Sequence, residues 1–357
     1  MSSKGSVLVA MSGGVDSSVA ACLLREQGYE VVGSHMRLVH LDGVEHGCCG
    51  PAARRDAAEV ARIAGFPFEM CDLTDAFERT VIADFVAEHE AGRTPNPCAR
   101  CNGEIKFGAF LRRADALGID LVASGHYVRK AGSDGGWRLL RGVDRAKDQS
   151  YMLHMLRQVV LARSLFPVGA LSKAETRALA ERFGLPVASK PDSQELCFAP
   201  SGEAGAYLAS VAPHLMTEGE IVGTDGRALA RHGGAAAFTV GQRRGLGVAG
   251  PEPSYVLEVD AATRRVVVGP GELLARSGLV ADRVSWVSGG PPSDGPFEAV
   301  IRIRYRGEDV PAVIDPTGDG IRVEFRTPQR GVAPGQSAVV YRGDDVLGGG
   351  RIVEALH

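Results

Sequence analysis

The stretch Val7-Leu8-Val9-Ala10-Met11-Ser12-Gly13-Gly14-Val15-Asp16-Ser17-Ser18 leads from an apolar run into small residues and a pair of glycines. The apolar run predicts a buried strand, and the segment after it predicts a helix. Such a sharp turn gathers free backbone N–H groups and the positive end of a helix dipole, which favours phosphate binding. The glycines allow a ligand to approach closely, and the serine hydroxyls can add donors. The alternative is a glycine-rich turn that binds nothing. No Gly-Lys-Ser/Thr sequence ends the loop, so it is not a Walker loop.

The composition limits the class of protein. A chain of 357 residues predicts two or three domains, and 45% apolar with 23% charged residues is typical of a soluble globular protein. No run approaches the roughly 20 apolar residues of a membrane span, and the chain leads directly into its first strand, so we expect neither a membrane partner nor a signal peptide. The seven scattered cysteines are expected to be reduced thiols in a cytoplasmic protein.

The net charge of −3 argues weakly against a nucleic-acid-binding protein, because phosphate contacts need Lys and Arg. Residues 129–147 depart from this balance. Their basic side chains outnumber the acidic ones, with Arg129, Lys130, Arg138, Arg141, Arg145 and Lys147 against Asp134 and Asp144. This excess is equally consistent with a surface facing RNA and with a solvated hairpin.

The first third of the chain alternates strand and helix patterns, which predicts an α/β domain with a parallel sheet. We predict strands at 7–10, 30–36, 66–71 and 119–124, and helices at 17–27, 52–64, 75–90 and 105–117. Ligands of such sheets bind at the carboxyl ends of the strands. The Ser12 loop, Met36 and the turn at Ser124-Gly125-His126 are therefore expected to border one crevice.

The pattern changes after residue 127. Residues 127–141 predict a hairpin that turns at 133–136, and Ser172 with Glu175 forms a capping box that opens a helix ending at Gly184. Short β-rich runs follow residue 200. Those from 279 to 354 predict a small barrel or sandwich, with a long turn at 288–296.

Cys98 and Cys101 lie in Arg93-Thr-Pro-Asn-Pro-Cys-Ala-Arg-Cys-Asn102, whose prolines and asparagines predict a stiff loop rather than a helix or strand. A Cys-x-x-Cys pair can be half of a zinc site, a redox pair or two unrelated thiols, and the sequence lacks a second pair at metal spacing. Neighbouring Arg93, Arg100 and Lys106 would favour a reactive thiolate.

The other cysteines are less distinctive. Cys197 lies between Leu196 and Phe198, a pattern typical of a small buried hydrophobe, and we interpret Cys22 and Cys71 in the same way. The pattern assigns no role to Cys48 and Cys49.

The order Ser-Gly-Gly-x-Asp-Ser resembles the PP-loop of ATP pyrophosphatases, and further motifs make the resemblance specific to the tRNA-specific 2-thiouridylase (MnmA) family. They are Thr94-Pro-Asn-Pro97, Cys101-Asn102, Glu104-Ile-Lys-Phe107, Gly125-His126-Tyr127, Lys147-Asp-Gln-Ser-Tyr151, Asp192-Ser193, Cys197-Phe198, Thr239-Val-Gly-Gln-Arg-Arg-Gly-Leu-Gly247, Arg304-Tyr305 and Pro334-Gly-Gln-Ser337. The resemblance spans nearly the whole chain. It implies a PP-loop ATP-binding catalytic domain (1–200), a small tRNA-contacting central domain (201–275) and a tRNA-contacting C-terminal β-barrel (276–357).

The resemblance implies ATP-dependent thiolation of the wobble uridine of tRNA. Uridine O2 would attack the α-phosphate of ATP, and a persulfide on Cys197 would then displace AMP. Cys101 would attack that persulfide and be left in a disulfide with Cys197. Such exchange needs both thiols within bonding range, so the Cys197 loop should close over the Cys101 loop. A cysteine desulfurase or a sulfur-relay protein is the implied sulfur donor.

The resemblance also implies binding roles for matching positions. ATP contacts fall on Ala10, Met11, Ser12, Gly13, Gly14, Val15, Asp16, Ser17, Met36 and Gly125. Contacts with the target base fall on Asn96, Pro97 and Cys98, and contacts with tRNA fall on His126, Lys147, Asp148, Gln149, Arg304, Tyr305 and Gln336. Asp16 is expected to help hold Mg²⁺ on the phosphates, or else to complement the helix dipole.

Cys98 departs from those family members that carry Asp at this position, so the role of that carboxylate as an acid or base is absent here. Cys98, Cys101 and Cys197 could instead ligate an iron–sulfur cluster with one open iron. We favour persulfide chemistry over this cluster.

Two rival functions remain at this point. A PP-loop ligase would adenylate a substrate without needing Cys101 or Cys197. A non-catalytic RNA-binding protein would bind tRNA with salt-sensitive affinity and release no pyrophosphate.

Overall fold

The computed structural model describes residues 4–39, 50–133, 136–192, 196–199, 204–249 and 252–357. The strands are β1 (Ser6–Ala10), β2 (Glu30–Arg37), β3 (Phe68–Asp72), β4 (Leu121–Ser124), β5 (Val128–Ser133), β6 (Gly136–Arg141), β7 (Ser164–Leu165), β8 (Gly219–Gly223), β9 (Ala228–His232), β10 (Tyr255–Asp260), β11 (Arg265–Gly269), β12 (Ala275–Trp286), β13 (Phe297–Arg302), β14 (Val310–Thr317), β15 (Gly320–Arg330), β16 (Ser337–Arg342) and β17 (Asp345–Leu356). The helices are α1 (Val15–Glu26), α2 (Pro51–Ala64), α3 (Thr74–Phe77), α4 (Ala83–Glu90), α5 (Pro97–Cys101), α6 (Phe110–Ala116), α7 (Gln158–Ala162), α8 (Lys173–Arg182) and α9 (Ala204–Val211).

The N-terminal domain is built on a five-stranded parallel sheet in the order β3-β2-β1-β4-β7, which confirms the predicted α/β class. Val7, Leu8 and Val9 of β1 are fully buried. This apolar strand lies in the middle of the sheet, where both of its faces are covered. Its last residue, Ala10, pairs with Ser34 on one side and Ser124 on the other, so the loop after β1 begins at the carboxyl edge.

The interpretation of residues 93–102 as an irregular loop was wrong for its second half. Helix α5 begins at Pro97, with Asn96 as its N-cap and the Asn96 side chain accepting a hydrogen bond from the Ala99 amide at 3.2 Å. Proline suits the first helical position, because its missing N–H would have no intrahelical partner there. A π-helical segment, Asn102–Ala109, joins α5 to α6. A second one, Glu78–Ile82, lies between α3 and α4 inside the predicted 75–90 helix.

The middle domain is a four-stranded sheet in the order β10-β11-β8-β9, and the C-terminal domain is a closed barrel. The barrel order is β12-β15-β14-β13-β16-β17, and β12 pairs with β17 to close it. Its interior holds buried apolar side chains, among them Leu279, Ile301 and Ile314. The predicted capping box at Ser172 is present, and the predicted long turn at 288–296 lies between β12 and β13.

The hairpin β5–β6 belongs to the barrel sheet, although the chain reaches it before the middle domain. Strand β6 pairs with β17, Asp345 lying opposite Leu140. Of the predicted turn at 133–136, residues 134 and 135 lie outside the described residues. The basic excess of this segment faces carboxylates of the barrel: Arg141 pairs with Asp309 at 2.9 Å, and Arg129 and Arg145 both pair with Asp344. These arginines therefore join residues 129–145 to the barrel. The sequence predicted neither of these contacts, since it suggested a surface facing RNA or a solvated hairpin.

None of the helices in the described part of the chain is long and apolar enough to cross a membrane.

Candidate active site

The loop after β1 presents helix amides that its own side chains do not cap. Gly14 is the N-cap of α1 and provides no side-chain hydrogen bond to the helix. The Ser17 hydroxyl accepts from the Ser12 amide at 3.2 Å and donates to the Gly14 carbonyl at 3.2 Å, and the Ser18 hydroxyl donates to the same carbonyl at 2.8 Å. Ser17 and Ser18 are buried and shape the loop, whereas Ser12 is exposed. The N-terminal amides of α1 can thus receive an anion.

Two glycines allow neighbouring elements to approach this loop. Gly13 has a φ of +70°, and a Cβ on it would lie 2.1 Å from the Ala53 carbonyl oxygen in α2. A Cβ on Gly125 would lie 2.4 Å from the Ser17 amide nitrogen. Gly125 therefore lies directly against the start of α1. This contact agrees with its predicted place at the same crevice.

A cluster of charged side chains that the sequence interpretation missed surrounds the loop. Lys173, at the start of α8, donates to both carboxylate oxygens of Asp16 at 2.7 and 2.9 Å, and lies 2.7 Å from Asp192. Lys147 also pairs with Asp192, at 2.8 Å. Lys190 donates to the Gly13 carbonyl at 2.9 Å. Burial raises the pKa of Asp192, but hydrogen bonds from Lys147 and Lys173 outweigh it and leave that pKa lowered. Two ammonium groups, those of Lys173 and Lys190, therefore contact the loop, and each also pairs with an aspartate.

Asp16 is already engaged in this cluster. Besides accepting from Lys173, its Oδ1 accepts from the Tyr127 hydroxyl at 2.8 Å. Burial raises the pKa of Tyr127, so the hydroxyl stays protonated and acts as a donor. Both oxygens of the Asp16 carboxylate therefore accept hydrogen bonds in this arrangement, and the carboxylate orients Lys173. That Asp16 helps to hold Mg²⁺ stays a prediction.

Cys101 and Cys197 contribute to the same apolar cluster. Cys101 is buried at the end of α5, and Cys197 is partly buried in a turn between Leu196 and Ala199. Phe198 anchors this turn against Phe85, with ring centroids 5.2 Å apart. Both cysteines are thiols in the structure. The fold therefore brings two cysteines from distant parts of the chain into one apolar cluster, which the sequence could not reveal.

The three candidate cluster ligands do not assemble. Within the described ranges, no group of three or more His, Cys, Asp or Glu side chains is placed to hold a metal ion, and these ranges include Cys98, Cys101 and Cys197. The arginines expected to act on these thiols have carboxylate partners, since Arg93 pairs with Glu88 at 2.6 Å and Arg100 with Glu104 at 3.1 Å. The thiol arrangement does not fit a three-thiolate iron–sulfur site.

Residues 94–96 are held by the barrel. The Thr94 amide donates to the Pro334 carbonyl at 2.8 Å, and the Gln336 side chain donates to the carbonyls of Thr94 and Pro95 at 3.0 and 3.1 Å. The Asn96 side chain donates to the Ser337 hydroxyl at 3.1 Å. Asn96, the N-cap of α5, is thus held in position by the barrel. Cys98 and Cys101 lie on this helix, so the barrel also fixes where they lie.

Of the residues predicted to contact tRNA, some are exposed and others bind to neighbouring residues inside the protein. Arg304 and Tyr305 are exposed on the barrel. Asp148 is buried, where its carboxylate accepts from the Gly142 amide at 3.0 Å and the Ser150 hydroxyl at 2.8 Å, and Gln149 accepts from the Tyr127 amide at 2.9 Å.

Lys147, Gln336 and His126 complete the predicted set. Lys147 pairs with Asp192, and Gln336 donates to the carbonyls of Thr94 and Pro95. Burial, with a smaller effect of Lys106, lowers the pKa of His126 to about 3, so its imidazole is neutral. The ring contacts Phe107, and Nδ1 lies 2.8 Å from the Ser124 hydroxyl.

The remaining cysteines agree with their interpretation as buried hydrophobes. Cys22 and Cys71 are both buried, and burial raises the pKa of each thiol to about 11. Cys48 and Cys49 lie outside the described residues.

Three family descriptions match successive parts of the chain. Residues 5–201 match a tRNA methyl transferase HUP domain, 206–270 a tRNA methyl transferase PRC-barrel domain, and 276–352 an aminomethyltransferase beta-barrel domain. Among solved structures, NMN synthetase from Francisella tularensis is similar with a TM-score of 0.34 and 18% identity, over 54% of this chain and 67% of that chain. That likeness is too weak to carry an argument.

Curated relatives cover nearly the whole chain. The tRNA-specific 2-thiouridylase MnmA of Acidothermus cellulolyticus is 49% identical over 97% of this chain and 97% of its own length. The protein of the same name from Geobacter metallireducens is 47% identical over 98% of this chain and 97% of its own length. On this similarity, the chain belongs to the tRNA-specific 2-thiouridylase (MnmA) family.

Proposed function

We propose that this protein catalyses the ATP-dependent 2-thiolation of the wobble uridine of tRNA. The observation that carries the proposal is the shared cluster of Cys101 and Cys197, two thiols from distant parts of the chain. Membership of a family whose curated relatives are named tRNA-specific 2-thiouridylases agrees with it. A PP-loop ligase would have no use for this pair.

ATP would bind at the carboxyl edge of the parallel sheet. In this proposal residues 10–17, Met36 and Gly125 contact the nucleotide, and its phosphates lie at the uncapped amides of α1. Mg²⁺ arrives with the phosphates as part of the substrate. Uridine O2 attacks the α-phosphate, the bond to the β-phosphate oxygen breaks, and pyrophosphate leaves. The ammonium groups of Lys147, Lys173 and Lys190 offset the charge of this leaving group.

Sulfur transfer would use both thiols. The terminal sulfur of a Cys197 persulfide attacks C2 of the adenylated base, and AMP departs with the former O2. The Cys101 thiolate then attacks Sγ of Cys197, the sulfur–sulfur bond breaks, and 2-thiouridine is released. The two cysteines are left as a disulfide, which an external dithiol must reduce before the next cycle. Cys101 is buried, which protects the exchange from water.

The partners follow from this chemistry. Asn96, Pro97 and Cys98 would contact the target base, while His126, residues 147–149, Arg304, Tyr305 and Gln336 remain the predicted contacts or supports for tRNA. A cysteine desulfurase or a sulfur-relay protein would load Cys197, which is partly exposed. A cytoplasmic location stays a prediction.

The test is a reconstituted reaction with unmodified tRNA, ATP, a persulfide-loaded donor and a dithiol, in which 2-thiouridine is measured by nucleoside mass spectrometry. Cys101→Ser and Cys197→Ser should each abolish 2-thiouridine and retain tRNA-dependent release of pyrophosphate. Cys22→Ser is the matched control, because Cys22 is a buried thiol outside the site, and it should retain both activities.

Other results identify the rivals. Full thiolation by Cys197→Ser would exclude the two-cysteine mechanism. Pyrophosphate release without any 2-thiouridine, even in the wild type, would support the ligase. Binding of tRNA without pyrophosphate release would support a non-catalytic binding protein.

A further inference from the structure

A loop of the middle domain, residues 239–247, presents two exposed arginines. Gln242 fixes the loop, since its side chain accepts from the Thr239 amide and donates to the Arg244 carbonyl, both at 3.0 Å. Leu246 is buried in the core of the middle domain. The side chains of Arg243 and Arg244, between these anchors, are exposed. The loop is therefore held in place while its charges face outwards.

Among the described residues, these arginines lack carboxylate partners. Arg243 and Arg244, and also Arg304 and Arg306 on the barrel, form no ion pair with any described Asp or Glu. In contrast, the buried Arg141 and the half-buried Arg302 both pair with Asp309. Arg243 also lines an open cleft of about 390 Å³ with Val248, Pro253 and Glu252. In a chain of net charge −3, such a local excess is a distinct electrostatic feature.

The two arginine-bearing loops meet beside Thr94. A Cβ on Gly241 would lie 3.5 Å from Cα of Gly331, and a Cβ on Gly331 would lie 3.5 Å from Nη1 of Arg304. The Thr239 hydroxyl lies 3.3 Å from that of Thr94, two residues before Asn96. The loop that carries Arg243 and Arg244 and the loop that carries Arg304 thus lie side by side, and the first of them contacts Thr94, close to the residues expected to receive the target base.

We propose that Arg243 and Arg244, together with Arg306, bind backbone phosphates of the RNA and extend the surface formed by Arg304 and Tyr305. The inference rests on the proposed function. Guanidinium groups without carboxylate partners can bind phosphate without first breaking an ion pair, and they hold it in a bidentate manner. Because the chain as a whole is acidic, tRNA must be attracted by such a local surface.

The test compares the full-length wild type with the Arg243→Gln/Arg244→Gln double variant, using an unmodified tRNA transcript. The dissociation constant of tRNA should rise about tenfold, and the slope of log affinity against log salt should fall by about 1 for each phosphate that the variant no longer binds. The kcat for thiolation at saturating tRNA should stay within about twofold, because these residues bind RNA away from the reacting atoms. The Arg243→Lys/Arg244→Lys variant should recover most of the salt slope.

Arg322→Gln is the matched control. Arg322 is also exposed and without a described carboxylate partner, but it lies at the other end of β15 from Arg330 and Gly331, and its removal should leave binding unchanged. An unchanged tRNA affinity and salt slope in the folded double variant would overturn the proposal. Unchanged tRNA binding with loss of sulfur transfer from the donor protein would overturn it too and assign the loop to that donor. Failure of the wild type to form 2-thiouridine would reject the proposed function, while the binding measurements would still decide this inference.

Discussion

The ammonium group of Lys173 lies 2.7 Å from Oδ1 of Asp16, although 157 residues separate them in the sequence. Lys173 is largely buried and also contacts Asp192, so one cation joins the loop after β1 to the segment that leads to Cys197. In the proposed reaction, the same ammonium group would meet the phosphates of ATP at this loop.

Lys173→Met should reduce tRNA-dependent pyrophosphate release about 100-fold, because a preorganised positive charge at the leaving group is lost. Lys173→Arg should recover part of the rate. Single-turnover assays with Lys4→Met, which removes an exposed lysine, provide the control. An unchanged rate for Lys173→Met would show that this lysine only supports the fold.

Gly335→Ala should displace Thr94 and the neighbouring N-cap residue Asn96. A Cβ at this position would lie 2.7 Å from the Thr94 carbonyl oxygen, and the φ of +94° is unfavourable for alanine. We expect a loss of about 1–3 kcal/mol in unfolding free energy together with a large loss of thiolation. Gly343→Ala is the matched control, because its φ is +60° and no atom lies within 4 Å of the added Cβ. Equal activities of the two variants would contradict this role of Gly335.

Glu88 should make stability depend on pH. Its buried carboxylate pairs with Arg93 and Arg351, and these arginines outweigh the effect of burial, so the pKa of Glu88 is lowered from 4.5. A carboxyl whose pKa is lower in the folded state stabilises the fold above the unfolded pKa, and this stabilisation is lost as the pH falls through the folded pKa. Glu88→Gln should therefore cost about 3 kcal/mol near pH 7, and its Tm should approach that of the wild type in acid.

Thermal unfolding from pH 7 down to pH 3 measures this effect. Glu218→Gln is the control, because the ion pair of Glu218 with Arg231 is exposed, and its Tm should differ little from the wild type at every pH. A gap between Glu88→Gln and the wild type that stays constant with pH would contradict the assignment.

Asn96 should act as a helix cap as well as a contact for the base. Asn96→Ala removes the acceptor for the Ala99 amide and should cost about 1 kcal/mol. Asn96→Asp keeps that acceptor but loses the donor to Ser337, so it should be the more stable of the two variants. Urea unfolding of both variants measures this difference in unfolding free energy. Equal values would show that the cap contributes nothing to stability.

Local features of the sequence were sufficient for much of the N-terminal domain. The apolar run at Val7 predicts the central strand, and the glycine pair after it predicts the loop that opens α1. Ser172 and Glu175 predict the start of α8. These elements depend on periodicity, capping and backbone freedom, which act over a few residues. The same reasoning fails at Pro97, where proline suggests a stiff loop although it occupies the first turn of a helix.

The sequence by itself determined the α/β class, the glycine-rich turn after the first strand and the motifs that carry the family resemblance. Only the tertiary structure decided that the basic hairpin faces Asp309 and Asp344, that Lys173 pairs with Asp16, and that Cys197 shares a cluster with Cys101. It also decided that Gln336 of the barrel holds Thr94. Each of these relationships joins residues far apart in the chain, and no local propensity specifies such pairs. They are fixed when separate elements bury their apolar faces together, since that packing sets which side chains meet.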